Sequence, residues 1–193
     1  MNKLTRDDLL KLEDYARERP AMRARVLPHK KSRSVHIGPN VTLVFEDRLT
    51  IQYQIQEMLR IERIFEVAGI QEELDTYNAL IPDDRNLKAT MLIEYPDPDE
   101  RARMLVKLHG IEHVVSLTVG KLAAVVAVAD EDLQRSTDNK TSAVHFLRFE
   151  LSPEHVAQFR QGAEVALRVD HPAYAHQTVL SEDTRRVLAE DFD

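Results

Sequence analysis

Residues 35–45 read VHIGPNVTLVF, two short apolar and β-branched runs on either side of Gly38-Pro39-Asn40. This pattern predicts a β-hairpin, because glycine, proline and asparagine favour the backbone angles of turns. A second pair of runs, residues 114–119 and 122–129, turns at Gly120-Lys121 and predicts another hairpin. Hairpins join antiparallel strands, so both pairs favour an antiparallel sheet over a parallel one.

Working outward, further strands and several helices are predicted between and around these hairpins. The strands are expected at residues 87–95, 143–151, 164–170 and 176–180, and the helices at about 6–19, 47–68, 71–80, 98–108 and 153–161. We expect Gly69 to stop the helix at 47–68, and Asp97, Ser152 and Ser181 to cap the starts of the last three helices. Strands mixed with helices in this order predict the α+β class, with a largely antiparallel sheet packed against the helices. We expect a single domain over residues 1–193, with a basic helical segment at 1–34, the α+β core at 35–180 and an acidic helix at 181–193.

Composition excludes several classes of function. The chain has 193 residues, no cysteine and a net charge of −7. Without cysteine it cannot hold an iron–sulfur cluster or use thiol catalysis, and its acidity disfavours general nucleic-acid binding. No signal peptide is recognisable, and the longest apolar run, residues 122–129, is too short to cross a bilayer. We therefore expect a cytoplasmic protein without a membrane segment.

A glutamate interrupts the apolar face of the longest predicted helix. On a helical wheel of about 100° per residue, Ile51, Ile55, Met58 and Phe65 form one stripe, and Glu62 falls within it. A carboxylate buried there needs compensation. Three explanations stay open: an ion pair with an arginine, a metal ligand or general base, and an interface that the wheel misplaces.

Three further polar residues end partly apolar strand faces. Because alternate residues of a strand point to the same face, His145 shares a strand face with Leu147, His171 with Val169, and Glu94 with Leu92. Two histidines with a carboxylate are a typical ligand set for a divalent metal such as iron. Glu62, His145 and His171, with Glu94 as a fourth member, are therefore candidate metal ligands. The alternative is that both histidines only form structural hydrogen bonds.

A basic stretch at residues 17–33 carries seven cationic residues and one acidic one, Glu18. We expect Arg23, Arg25, Lys30 and Lys31 to contact an anion, an acidic partner protein or the acidic tail of the same chain. A non-catalytic accessory protein that binds its partner through this stretch is therefore the first alternative to a metal-binding function. A small-anion-binding module using Arg60, Arg63 and Arg148 is the second, because guanidinium groups match carboxylates and phosphates.

Three segments carry a resemblance over the whole chain. Residues 54–65, residues 129–133 with 140–150, and residues 170–174 resemble the signatures of DUF3501, a bacterial family of unknown function. The resemblance implies no activity and no catalytic residue. It does imply a setting, because genes of this family often neighbour those of rubrerythrin-like and iron–sulfur oxidoreductase proteins. These proteins are expected partners, in a redox or peroxide-stress context.

Overall fold

Two antiparallel sheets form the framework of the protein. The structure, a computed structural model, describes residues 1–192, so Asp193 of the predicted last segment lies outside the described residues. The strands are β1 (Ser34–Ile37), β2 (Val41–Phe45), β3 (Asn86–Ile93), β4 (Val115–Val119), β5 (Val125–Val126), β6 (Val128–Ala129), β7 (Val144–Glu150), β8 (Val165–His171) and β9 (Tyr174–Val179). The first sheet has the order β1-β2-β3-β7-β6 and the second β5-β4-β8-β9. The predicted α+β class and the hairpin at residues 35–45 are confirmed. Of the strand predicted at 122–129, only Val125–Val126 pairs with β4, and Val128–Ala129 pairs with β7 in the other sheet.

Six α-helices lie among these strands in the part of the chain that the structure describes. They are α1 (Leu12–Ser32), α2 (Arg48–Glu62), α3 (Val67–Asn78), α4 (Pro98–Lys107), α5 (Pro153–Arg160) and α6 (Glu182–Ala189). The predicted caps Asp97, Ser152 and Ser181 each accept a hydrogen bond from a backbone N–H of the first turn. These caps satisfy donors that a helix start leaves unpaired.

The two sheets enclose the main core. Leu43, Met91 and Leu147 of the first sheet pack in one apolar cluster with Leu117 and Leu167 of the second. A smaller cluster joins the helices and contains Leu4, Ile51, Ile55, Leu59, Leu74 and Ile81. The helix α2 therefore packs on α1 and α3, which differs from the expected packing of its apolar stripe directly on a sheet.

The predicted helix 47–68 is wrong at its end. Asp47 forms a capping box with Thr50 at the start of α2. The helix ends at Glu62, because Arg63 adopts a left-handed conformation with φ 56°. Gly69 then lies inside α3 and does not stop a helix. Because the chain leaves the helix axis at Arg63, Phe65 is 70% exposed and cannot extend the buried stripe.

The first helix begins later and runs further than the predicted 6–19. It covers most of the basic stretch and contains Pro20 and Pro28. The Tyr15 hydroxyl donates to Glu57 Oε1 at 2.6 Å, and Arg19 donates to both oxygens of Glu57, which fixes α1 against α2. Among residues 1–192, no helix combines the length and the apolar character that a membrane span requires.

Candidate functional site

One histidine of the main core is surrounded by polar groups. His145 lies on β7 opposite Met91 and is fully buried. Its Nδ1 lies 2.7 Å from Asp130 Oδ2, so the imidazole donates this hydrogen to the carboxylate. Asp130 follows β6 in a left-handed conformation with φ 51°, and its other oxygen accepts a hydrogen bond from Phe146 N at 3.0 Å. The carboxylate thereby fixes both the tautomer and the orientation of the ring.

Three oxygens face the other ring nitrogen. His145 Nε2 lies 2.8 Å from Thr141 Oγ1, 3.1 Å from the Ser142 carbonyl oxygen and 3.9 Å from Glu112 Oε2. Thr141 Oγ1 is also 3.0 Å from Glu112 Oε2. Since Thr141 has one hydroxyl hydrogen, it can donate to His145 Nε2 or to Glu112, but not to both at once.

Glu112 is the second buried carboxylate of this group and is only 2% exposed. It belongs to a single 3₁₀ turn, Ile111–His113, which precedes β4. Burial acts to raise the pKa of Glu112, but hydrogen bonds from Ser136, from its own backbone N–H and from Thr141 hold that pKa below its usual value. Glu112 is therefore an anion near neutral pH, available to a cation.

The segment between Asp130 and Thr141 closes over the site. Arg135 donates to both oxygens of Asp132, at 2.6 and 2.7 Å, and its guanidinium stacks over the Phe146 ring at 4.3 Å. The same guanidinium lies 3.4 Å from Asp130 Oδ1. Ser136 and Thr141 of this segment both donate to Glu112. The segment thus supplies the polar groups that the buried anion needs.

Within the described chain, one group of three metal-ligating residues has converging atoms, namely Glu112, Asp130 and His145, whose ligand atoms lie within 4.8 Å of one another. Of the four predicted ligands, the structure brings only His145 into it. Glu62 is exposed at the last turn of α2, so its predicted burial is wrong. The physical reason is the end of the helix at Arg63, which removes the neighbours that would have covered it.

The other two predicted ligands have separate hydrogen bonds. His171 Nδ1 accepts from Ala173 N at 3.1 Å, and its Nε2 lies 3.2 Å from the His109 carbonyl oxygen, the structural alternative foreseen for a histidine at a strand end. Glu94 is exposed and accepts a hydrogen bond from Thr42 Oγ1 at 2.6 Å. The structure places neither of them in the group around His145.

Sequence reasoning missed Glu112 and Asp130. Asp130 and His145 both lie in the second segment that resembles DUF3501, so that segment carried a signal for the pair. Glu112 had none, because a single 3₁₀ turn has no periodicity that marks a residue as buried.

The predicted cationic residues have diverse surroundings. Arg23 Nη1 lies 3.4 Å from the Tyr53 hydroxyl, Arg25 and Lys31 are exposed, and Lys30 lines a cavity beside the first sheet. Another residue of the stretch, Arg33, meets the C-terminal tail through Asp191. Whether the other cations bind a partner or an anion stays a prediction.

Arg148, offered for anion binding, is already neutralised. It donates to both oxygens of Glu131, at 2.8 and 2.9 Å, and to Glu150 at 2.6 Å. Two carboxylates on one guanidinium disfavour a further anion there.

Comparison with known proteins gives a family and a structural relative. The model of a family described as "Protein of unknown function (DUF3501)" matches residues 3–192. A crystal structure of a protein of unknown function from Burkholderia pseudomallei is similar with a TM-score of 0.95 and 51% sequence identity, over 100% of both chains. A search of curated proteins finds no significant match.

Proposed function

Because the chain belongs to the DUF3501 family, whose description assigns no function, we propose from the site itself that this protein binds a divalent metal ion at Glu112 and His145, in a redox or peroxide-stress context. Asp130 acts as the residue that positions His145. The other candidate functions, an accessory protein acting through residues 17–33 and a small-anion-binding module, stay predictions.

The separation of Glu112 and His145 carries the proposal. Glu112 Oε2 and His145 Nε2 are 3.9 Å apart, and metal bonds to carboxylate oxygen and imidazole nitrogen are about 2 Å long. One ion therefore fits between these two atoms. With Nδ1–H donated to Asp130, the lone pair of neutral His145 is on Nε2, the atom that faces Glu112.

The donor set supports iron or a similar transition metal. Imidazole nitrogen suits iron, zinc and copper, whereas carboxylate, hydroxyl and carbonyl oxygens broaden the choice to manganese. Thr141 Oγ1 and the Ser142 carbonyl oxygen are the nearest further oxygens to Nε2. A bound iron ion would supply one-electron redox chemistry, and the protein would hold it in place.

Burial of the site supports the redox context. His145 is fully buried and Glu112 nearly so, which limits reactants to electrons and very small molecules such as peroxide. Rubrerythrin-like and iron–sulfur oxidoreductase proteins, the partners that the family resemblance implies, would exchange electrons with such a site without contacting the ion.

Metal content tests the proposal. Protein purified without a nickel column, then loaded anaerobically with ferrous ion and desalted, is expected to retain about one equivalent by elemental analysis. Glu112→Gln keeps the shape of the side chain and should lose most of this metal, as should His145→Ala.

His171→Ala is the matched control, because it removes a histidine from the end of β8 that makes only backbone hydrogen bonds. It should retain metal like the parent. Absence of metal from the loaded parent, or full retention by a folded Glu112→Gln variant, would overturn the proposal and leave the group as a structural network.

A further inference from the structure

A cavity lies against the face of the first sheet that points away from the main core. Val44 pairs with Thr90, and Thr90 with Phe146, whereas the alternate residues Met91 and His145 face the main core. Successive side chains of a strand point to opposite faces of the sheet. The side chains of Val44, Thr90 and Phe146 therefore face the helices α2 and α3. The cavity, about 430 Å³ in volume, lies between this face and those helices, within the usual range for small-molecule sites.

A buried carboxylate with a free acceptor lines this cavity. Glu46 is only 6% exposed, and its Oε1 accepts a hydrogen bond from Thr90 Oγ1 at 2.7 Å. Its Oε2 has no hydrogen-bond partner among the described residues. Buried charged oxygens are normally paired, because burial removes the water that would otherwise solvate them.

The neighbouring cation does not meet this need. Arg33 directs its guanidinium to Asp191, at 2.6 and 2.7 Å, and to Asp47 at 3.1 Å. His29 Nε2 also lies 2.5 Å from Asp47, so Arg33 and His29 are engaged with Asp191 and Asp47 and make no hydrogen bond to Glu46. Lys30 lines the cavity from α1 and is half-buried, but no hydrogen bond links it to Glu46. Glu46 Oε2 is therefore left without a hydrogen-bond donor among the described residues.

We propose that this cavity binds a small primary ammonium compound with an apolar body. The ammonium group would donate to Glu46, because a charge-assisted hydrogen bond would satisfy the carboxylate oxygen that has no partner. Val44, Leu92 and Phe146 supply the apolar wall for the body of the ligand. Gln54 and Tyr77 from the helices provide further polar groups at the same cavity.

Amide NMR spectra of the full chain test the charge and the place of binding. Hexylammonium is titrated in parallel with hexanol, which has the same body without the charge, and with hexanoate, which has the opposite charge. Saturable shifts confined to strands β2 and β3 and to α2 are expected with hexylammonium, at an affinity at least about tenfold above that for the other two. Absence of saturable shifts, or equal affinity for hexanol, would overturn the proposal.

Variants locate the contact. Glu46→Gln keeps an oxygen for Thr90 but removes the charge, and should weaken hexylammonium binding about tenfold or more. Glu94→Gln is the matched control, since it changes an exposed acid beyond the end of the neighbouring strand.

Val144→Trp, at an exposed position of the cavity lining, should block binding without disturbing the core, so the test stands even if Glu46→Gln does not fold. Unchanged affinity in folded Glu46→Gln or in Val144→Trp would contradict the site. Metal retention at Glu112 and His145 should be unaffected in both, which separates this inference from the proposed function.

Discussion

Glu57 of α2 joins two helices through one side chain. It accepts hydrogen bonds from Tyr15, Arg19 and Arg60 and is largely buried. The hydrogen bond from Arg19 is the main cause that lowers the pKa of Glu57 from 4.5 to about 2, against the opposing effect of burial. The ionised carboxylate of Glu57 is therefore more stable in the folded state than in the unfolded state.

We therefore predict that Glu57 contributes to stability in a pH-dependent way. A lowered pKa in the folded state gives stability that is present above pH 4.5 and is lost as the pH falls towards about 2. The contribution is at most roughly 3 kcal/mol, because one pKa unit corresponds to about 1.4 kcal/mol. Urea unfolding of Glu57→Gln should show a lower free energy at pH 7 and a flatter acid dependence than the parent. Glu62→Gln, at the exposed end of the same helix, is the control and should follow the parent, whereas an unchanged acid slope in Glu57→Gln would contradict the assignment.

Asp130 has two separable roles, one in backbone geometry and one in orienting His145. Asn tolerates the left-handed conformation of this position, so Asp130→Asn should keep the turn. It removes the charge that holds the Nδ1 hydrogen, and such changes usually weaken metal affinity by about 10–100-fold. A competition titration with a metal-binding dye measures this loss. Affinity equal to that of the parent would show that Asp130 does not act through His145.

At the scale of elements, the end of α2 is set by one residue. Arg63 has φ 56°, and its backbone N–H donates to the Leu59 carbonyl oxygen, as does that of Ile64 at 2.9 Å. Glycine adopts this conformation without the steric cost that a Cβ brings, about 1 kcal/mol. Arg63→Gly should therefore raise the melting temperature by about 2–4 °C. Glu62→Gly, one residue earlier and still helical, should lower it, and a lower melting temperature for Arg63→Gly would contradict this account of the helix end.

The run at residues 122–129 shows how an element places the site. It was predicted as one strand, but its two halves join different sheets: β5 pairs with β4, and β6 pairs with β7. Between them, Ala127 is buried and donates to the Val115 carbonyl oxygen at 2.9 Å. Because the chain passes here from the second sheet to the first, Asp130 lies next to His145. The site therefore depends on the division of residues 122–129 between the two sheets.

At the scale of the whole molecule, a buried ion pair joins the end of α1 to the segment that follows α6. Arg33 after α1 makes two hydrogen bonds with Asp191 after α6, at 2.6 and 2.7 Å, and both side chains are buried. Without the Asp191 charge, the buried guanidinium would lose both of these charge-assisted hydrogen bonds and keep only Asp47, at 3.1 Å, as a carboxylate partner.

Asp191→Asn should therefore lower the free energy of unfolding by about 3 kcal/mol, equivalent to about 6–12 °C in melting temperature. Differential scanning calorimetry measures the loss. Asp183→Asn, an exposed acid on α6, is the control and should change the melting temperature little. A loss below about 1 kcal/mol for Asp191→Asn would mean that Asp47 alone compensates Arg33.

The sequence by itself determined the local features of this protein. The hairpin at residues 35–45, the caps Asp97, Ser152 and Ser181, and the α+β class follow from interactions between residues close in the chain. Turn preferences and side-chain caps act over two to four residues, so a single sequence displays them directly.

Only the tertiary structure decided which polar residues are buried together. The wheel placed Glu62 in a core, but the burial of a side chain depends on what packs against it, and the chain turns away at Arg63. Glu112, Asp130 and His145 come from a 3₁₀ turn, the end of one strand and the middle of another. They meet because two sheets pack face to face and residues 122–129 cross between them, and no local periodicity encodes contacts between segments so far apart in the chain.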